Sequence, residues 1–440
     1  MLIRGWVEPL VGMCAAGQKR LFSNFYSVDV AEAHTHVATR RVAVSPLSSA
    51  EVPLPIHSAE RLESSDYVRG ATMTDFGRRR NLLTKLICNS TAQSMLVTNC
   101  NNVSYLTGFT GDDSYLLLTR NECWLISDPR YEEQISQECP GLKAFIRQPS
   151  ELLSEATVGE IRKAKLGSLL VEGDTMTAGS FEAMKSELAG VSIGLSRGLV
   201  ESLRVIKEKS EIDILRRAIA MAERVFISVR SQLRGDQTEL EVANEIDRQV
   251  RALGGEGCSF KPIVAVGERA ALPHARPTRR TIGSAPFVLI DWGAIDRMYR
   301  SDLTRVLVTG EVSLKFQEVY SAVLGAQAAA LDKMRPGVMV SEVDRAARAV
   351  IESAGMGPQF NHGLGHGIGL DIHEAPRLGK NHDRQLEPGM VVTVEPGVYF
   401  PGWGGVRIED DVLITESGHE VLSSLPRSME ENRVELLDTP

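Results

Sequence analysis

Two stretches decide the fold: "FVLIDWGAIDRMYRSDLTRVLVTG", residues 287–310, and "MVVTVEPGVYFPGWGGVRIEDDVLIT", residues 390–415. Each opens with an apolar run of strand character that ends on a carboxylate, Asp291 in the first and Glu395 in the second. Each then returns as a second strand-like run that carries another, Asp302 and Glu409. The openings "FVLIDWG" (287–293) and "MVVTVEPG" (390–397) stand 103 positions apart. The same offset sets "LRGDQTELEVANEIDRQVRALGG" (233–255) against "MRPGVMVSEVDRAARAVIESAGMG" (334–357) and pairs Thr238 with Ser341, Glu239 with Glu342, Leu240 with Val343 and Gly254 with Gly357. Two capped amphipathic helices can look alike by chance. A strand at the same offset, with a carboxylate at nearly the same place, favours an internal duplication. The expectation is two pseudo-symmetric halves whose sheets join, with helices outside and the facing carboxylates in the middle.

An ionised carboxylate is rarely buried without a partner. If the first pair of strands is a hairpin, the eleven-residue separation of Asp291 and Asp302 can bring both carboxylates to one face. Structural ion pairing would need cations, and Arg305 and Arg407 are the nearby arginines. Two arginines cannot neutralise four carboxylates, so a metal is the better reading. Oxygen ligands with one imidazole suit Mn, Co, Fe or Zn. Four shared carboxylates can hold two ions, and a pair roughly 3.5–4 Å apart activates a bridging water for hydrolysis.

The imidazole can come from "FNHGLGHGIGLDIHEAP", residues 360–376, which holds His362, His366 and His373. A dinucleotide or phosphate loop would need G-x-G-x-x-G; here the third position falls on Ile368 and no P-loop lysine follows. Alternating glycines suit an extended segment packed closely against other backbone. On such a segment His362 and His366 share a face, and His373 faces the other way unless a bend intervenes. A lone histidine is usually just a satisfied polar group, but five of the nine fall between His274 and His382.

A chain of 440 residues is long for one core and suggests two or three domains. Residues 1–72 show no sustained period and read as a disordered leader or an over-long start, with Met73 as initiator. Mitochondrial targeting is the minor alternative to a cytoplasmic protein; Glu8, Asp29 and Glu32 count against it. From Thr74, helix-like "FGRRRNLLTKLICNS" precedes strand-like "SMLVTN", and "SYLLLT" with "ECWLIS" resembles a hairpin. This predicts an α/β domain over 73–201 and a second domain over 202–435. The latter opens on a long helix with Ser210 as N-cap and Ile212, Leu215, Ile219, Ala222 and Phe226 on one face. The net charge of −8 argues against nucleic acid or an anionic membrane as principal partner. No apolar run approaches the roughly 20 residues of a membrane span. Six scattered cysteines, with no C-x-x-C pair, suit a reducing compartment.

The ordered set Asp291, Asp302, His366, Glu395, Glu409 resembles the ligand set of the pita-bread metallopeptidases, the family of methionine aminopeptidase, Xaa-Pro aminopeptidase and Xaa-Pro dipeptidase. The family pattern D-x10-D, G-H-G, V-E-P-G-x-Y, R-x-E-D is matched by "DWGAIDRMYRSD", "GHG", "VEPGVY" and "RIED". "NNVSYLTGFTGDDSYLLLT" and "LISDPRYEEQ" are similar to hallmark stretches of the creatinase-type domain that precedes the Xaa-Pro enzymes. The resemblance implies a creatinase-like α/β domain followed by a pita-bread α+β catalytic domain with pseudo-two-fold duplication. It implies two divalent ions, manganese favoured: Asp291 on one, Asp302 and Glu409 bridging, His366 and Glu395 completing the second. It also implies that His274 and His373 contact the substrate at the scissile bond and that His362 lines the pocket. Arg407 would stand beside the last ligand and serve substrate binding, with Thr304 orienting its neighbours.

The expected activity is hydrolysis of the N-terminal Xaa-Pro bond of a proline-containing peptide through a metal-bridging hydroxide, with Glu395 as proton carrier. A homodimer would be in keeping with the resemblance. Three alternatives share parts of the pattern. A methionine aminopeptidase would lack the N-terminal domain, a creatinase-like C–N hydrolase would not need the metal set, and an inactive scaffold should have lost a ligand.

Overall fold

The computed structural model describes residues 75–90 and 92–438. The leader expected over 1–72, with Met73 as its alternative start, lies outside the described residues. The N-terminal α/β domain is a mixed six-stranded sheet. Its strand order is Lys143–Ile146, Cys123–Ser127, Ser114–Thr119, Ser94–Val97, Ser168–Glu172, Ser192–Ser196. The expected hairpin is present: Ser114–Thr119 runs antiparallel to Cys123–Ser127, with Leu116 opposite Leu125. Both faces of this sheet are covered. Leu116 and Leu118 pack with Leu83 and Ile87 of helix Phe76–Cys88, whereas Leu117 packs with Ala156 and Ile161 of helix Leu153–Lys163. That is why its strands read as continuous apolar runs rather than as alternating ones.

The long helix Lys209–Ser231 opens the second domain. Its N-cap is Glu208, in a capping box with Glu211, instead of Ser210, which falls inside the first turn. Lys209 already has helical geometry, and Glu208 and Glu211 accept from each other's backbone N–H groups. The buried face carries Leu215, Ile219, Ala222 and Phe226 as the periodicity predicts, with Ile212 only partly buried.

The duplication is visible element by element. Each half places a long helix, Lys209–Ser231 or Leu314–Lys333, before a fourteen-residue helix, Glu239–Ala252 or Val340–Ser353. Buried Val242, Ala243, Ile246 and Val250 of the first short helix answer to Val343, Asp344, Ala347 and Ile351 of the second, 101 positions on. Gly254 and Gly355, both in the left-handed region, end the two helices at the same spacing. The helices are thus related by 101 positions, two fewer than sequence matching gave, and Ser341 lies inside its helix, which is capped at Met339.

In the first half Phe287–Trp292 is flanked by Ile263–Val266 and Leu303–Val308; in the second Val391–Val394 is flanked by Gly365–Gly367 and Asp410–Ile414. Neither return is a simple hairpin. A small hairpin is inserted before each, Ala294–Asp296 with Tyr299–Arg300 and Gly397–Phe400 with Gly404–Arg407. The two sheets meet at one bridge, Thr304 to Glu409. Arg305 staples that seam from the inside. Its fully buried guanidinium donates to Asp410 Oδ1 at 2.7 Å and to the carbonyls of Glu409, Leu425 and Pro426 at 2.7, 2.9 and 2.9 Å.

Arg305→Met should therefore strip donors from several buried oxygens and lower the unfolding free energy by about 3–5 kcal/mol. Urea denaturation followed by tryptophan fluorescence measures it.

Candidate metal centre

Asp291 is the penultimate residue of the central strand of the first half and Glu395 follows that of the second; Asp302 immediately precedes strand Leu303–Val308, and Glu409 lies at the seam. The junction thus gathers the four carboxylates that the sequence singles out. Asp302, His366 and Glu409 each offer a ligand atom within 4.8 Å of the others. His366 Nε2 stands 3.7 Å from Asp302 Oδ2 and 3.5 Å from Glu395 Oε1. Asp291 is buried beside them, and its charge helps to raise the carboxyl of Asp302.

His366 is brought there by a short strand, Gly365–Gly367, squeezed between two others. A Cβ on Gly365 would sit 2.1 Å from the carbonyl oxygen of Thr393, and one on Gly367 2.2 Å from that of Ala375. The alternating glycines are there because backbone approaches backbone on both sides. A register break between His366 and Gly367 re-aims the chain locally. The strand then bends and returns as Glu374–Leu378, so the "GHGIGLDIHEAP" segment is a hairpin and not one extended run. The bend brings His373 back: its ring packs edge-to-face on His366, centroids 4.4 Å apart.

Neutralisation falls short of what ion pairing would need. Arg407 pairs with Asp291, while Arg305 is committed to Asp410, away from the cluster. Asp302, Glu395 and Glu409 form no ion pair with an arginine or lysine among the described residues, although the charge of Arg407 reaches Glu395 and Glu409. Oδ1 of Asp291 and Oδ1 of Asp302 are buried with no hydrogen-bond partner. Burial and mutual repulsion push the carboxyls of Asp302 and Glu409 well above the usual range. Burial also lifts Glu395 to about 8, and lifts Asp291 despite its arginine. Burial lowers His366 to about 4, so its imidazole is neutral at physiological pH and has a lone pair to offer. Orphaned carboxylate oxygens around a neutral imidazole are what a divalent cation requires.

The neighbours complete the pocket. Thr304 Oγ1 donates to Glu409 Oε2 at 2.6 Å and accepts from Arg407 Nε at 3.1 Å, so one hydroxyl ties the arginine to the acid. Arg407 is buried and also donates to the Tyr399 hydroxyl at 2.8 Å, and His362 Nε2 lies 3.1 Å from that hydroxyl. His274 is exposed on the loop after Pro273, whose carbonyl accepts from Arg407 at 3.4 Å.

Three participants were not singled out from sequence. Tyr399 stands inside the quoted "VEPGVY" and links Arg407 to His362. Asp411, third acid of "EDD", accepts from the Asp302 N–H at 3.1 Å. Arg377 lies opposite His366 across the hairpin and lines a cleft of about 220 Å³ with His373. Only the hairpin pairing reveals Arg377; nothing in its spacing does.

The raised carboxyls have a thermodynamic sign. Glu395 binds its proton more tightly folded than unfolded, so its contribution is full below its ordinary value of 4.5 and is lost as pH rises through about 8. Metal-stripped protein should accordingly lose stability between about pH 5 and about pH 8, and added Mn²⁺ should restore more at the upper end. Urea midpoints with and without chelator at the two pH values measure this; equal rescue at both would contradict it.

Residues 213–416 match metallopeptidase family M24, and residues 79–206 match the creatinase/prolidase N-terminal domain. The uncharacterized peptidase YqhT of Bacillus subtilis is 36% identical over 76% of this chain and 94% of its own length. A solved structure described as the Xaa-Pro dipeptidase from Bacillus anthracis is 37% identical, with a TM-score of 0.78 over 82% of this chain and 100% of that one. One described as the X-Pro aminopeptidase from Thermotoga maritima is 34% identical, with a TM-score of 0.73 over 79% of this chain and 98% of that one. With this covering similarity and the creatinase-type domain ahead of the duplicated one, the chain belongs to metallopeptidase family M24.

Proposed function

We propose that the protein hydrolyses the bond preceding proline at the N-terminal end of a peptide, with two divalent ions, manganese favoured, held by Asp291, Asp302, His366, Glu395 and Glu409. The observation that carries this reading is the buried convergence of three carboxylates without a cationic partner on one neutral imidazole. The descriptions of the solved relatives, an Xaa-Pro dipeptidase and an X-Pro aminopeptidase, direct it to proline. Asp291, Asp302, His366, Glu395 and Glu409 would together hold the ions, with Asp302, His366 and Glu409 the most closely gathered. When bound, the ions supply Lewis acidity that polarises the scissile carbonyl and makes a water nucleophilic at neutral pH.

The chain's own residues do the rest. Glu395 takes the proton from the attacking water and delivers it to the proline nitrogen as the C–N bond breaks. Burial and the nearby charge of Arg377 lower His373, so it is neutral at working pH and its single N–H donates to the carbonyl oxygen as negative charge develops. His274 stands at the exposed rim, and His362 with Tyr399 forms the wall. Arg407 is taken up by Asp291, Thr304 and Tyr399 and acts on the substrate through them. Proline lacks an N–H and holds its φ fixed, so a pocket built for it need not satisfy a donor there. A methionine aminopeptidase, a creatinase-like hydrolase and an inactive scaffold each fit less well, because the N-terminal domain is present and all five ligand residues are intact.

Metal content of the purified protein, with cleavage of Gly-Pro against a Met-initiated peptide, separates these readings. A protein that retains no divalent metal and cleaves neither would refute the enzyme. Asp302→Ala and Glu409→Ala should each lose metal and activity together. His373→Ala should keep its metal and lose about 10²–10³ in kcat, the cost of one oxyanion donor. If His373→Ala loses metal and His366→Ala does not, the two assignments are reversed.

Chain length is a separate question. Among the described residues Arg377 has no ion-pair partner, and it is exposed in the cleft beside His373, where a dipeptide's free carboxylate could meet it. Arg377→Ala should raise KM at least tenfold for Xaa-Pro and less for Xaa-Pro-Xaa; equal changes would argue against a dipeptidase.

A further inference from the structure

The turn that carries His373 is held by groups that belong neither to the metal centre nor to its own hairpin. Glu374, next in the chain, is almost fully buried and is gripped by two cations from the segment joining the domains. Arg204, 2% exposed, pairs with Glu374 and donates to Asp371 Oδ2 at 2.6 Å; Lys207, 1% exposed, reaches Glu374 Oε2 at 3.1 Å. Burial alone would raise Glu374, but Lys207 and Arg204 hold it down at about 2, so it is ionised. Glu374 in turn accepts from the N–H of Asp371 at 3.0 Å, closing the turn on itself.

The N-terminal domain supplies the other side. Asn101 donates to Asp371 Oδ1 at 2.6 Å. Asn102 accepts from Arg204 at 2.8 Å and donates at 2.6 Å to Glu172, on the sheet strand Ser168–Glu172. From the catalytic side Arg300 closes the turn, donating to the carbonyls of Gly369 and Leu370 at 2.9 and 3.0 Å. His373 itself hydrogen-bonds to no described residue; its ring rests on His366. Its position therefore depends on how firmly the backbone on either side is held.

Resting on the reading of the site given above, we propose that the N-terminal domain works in catalysis as a clamp, with Arg204 and Glu374 as positioning residues that fix His373 over the scissile carbonyl. Neither residue touches substrate. A second interdomain contact provides the control: Arg79, equally buried, pairs with Glu208 and Glu211 but does not contact the turn.

The test compares Arg204→Met, Glu374→Gln and Arg79→Met in the full chain loaded with Mn²⁺. The first two should lower kcat on Gly-Pro at least tenfold, with bound manganese unchanged and KM altered less than threefold. Arg79→Met should lower the unfolding temperature without that fall in kcat. In a His373→Ala background, Arg204→Met should cost less than threefold more, because the group it positions is already gone. An undiminished further loss there would overturn the proposal, as would an unaltered kcat in both turn variants.

Hydrogen exchange followed by mass spectrometry gives a readout independent of activity. Amides of 369–375 should exchange at least tenfold faster in Arg204→Met, while those of Leu303–Val308 remain unchanged; equal protection of the turn would overturn the clamp. Should Arg204→Met fail to fold, Glu374→Gln carries the same comparisons. A wild-type protein that cleaves no Xaa-Pro bond would refute the functional reading, and the exchange rates would still decide the clamp.

Discussion

Four carboxylates of like charge are buried where two strand pairs meet, and among the described residues only one arginine, Arg407, forms an ion pair with any of them. Asp291 pairs with Arg407; among the described residues Asp302, Glu395 and Glu409 have no ion pair with an arginine or lysine. Apolar strands bring these acids inside, and burial alone would favour protonating them. A divalent cation resolves the conflict by replacing lost hydration with ligand bonds, and the neutral imidazole of His366 adds a donor without adding charge. The acids are thus costly to the metal-free fold, and that cost favours a cation at the site we propose.

The architecture follows from that requirement. A duplicated unit delivers one strand-end acid from each half, and the halves join where Thr304 meets Glu409. Thr304 is at once a seam residue, a donor to Glu409 and an acceptor for Arg407, so the orientation of two acids depends on one hydroxyl. Arg305 lies on the same strand but serves the seam through Asp410 and backbone carbonyls. The two neighbouring positions divide the work because successive residues of a strand point to opposite faces. Glycine at 365 and 367 then lets the histidine strand close over the acids without steric conflict. The N-terminal domain adds to this a buried polar chain that ends at the turn bearing His373.

Much of this was legible in the chain. Acids at the ends of apolar runs, a repeated helix–strand series and a glycine-alternating histidine segment pointed to the duplicated fold and to the five clustered residues. The N-terminal hairpin and the face of the long helix were also read correctly, because apolar periodicity records burial directly. The misreadings share a cause. Ser210 has the residue type that favours caps, yet the helix starts two positions earlier, at a capping box between Glu208 and Glu211. The 103-position offset of the helices became 101 because the insertions between helix and strand differ in the two halves. Arg305 was a plausible partner for the acids by position in the sequence, and only its side of the strand excluded it.

The sequence by itself determined which residues are available and on what kind of element they stand, because strand periodicity and a buried charge are local signals. It brought forward the five candidate ligands and predicted two domains. Tertiary structure alone decided the bend that returns His373 to His366, the placing of Arg377 beside it, the use of Tyr399 between Arg407 and His362, and the grip of Arg204 on the turn. These contacts join residues tens to hundreds of positions apart or depend on which face of a strand is turned inward. No spacing rule encodes them; they exist only once the sheets and the two domains have packed.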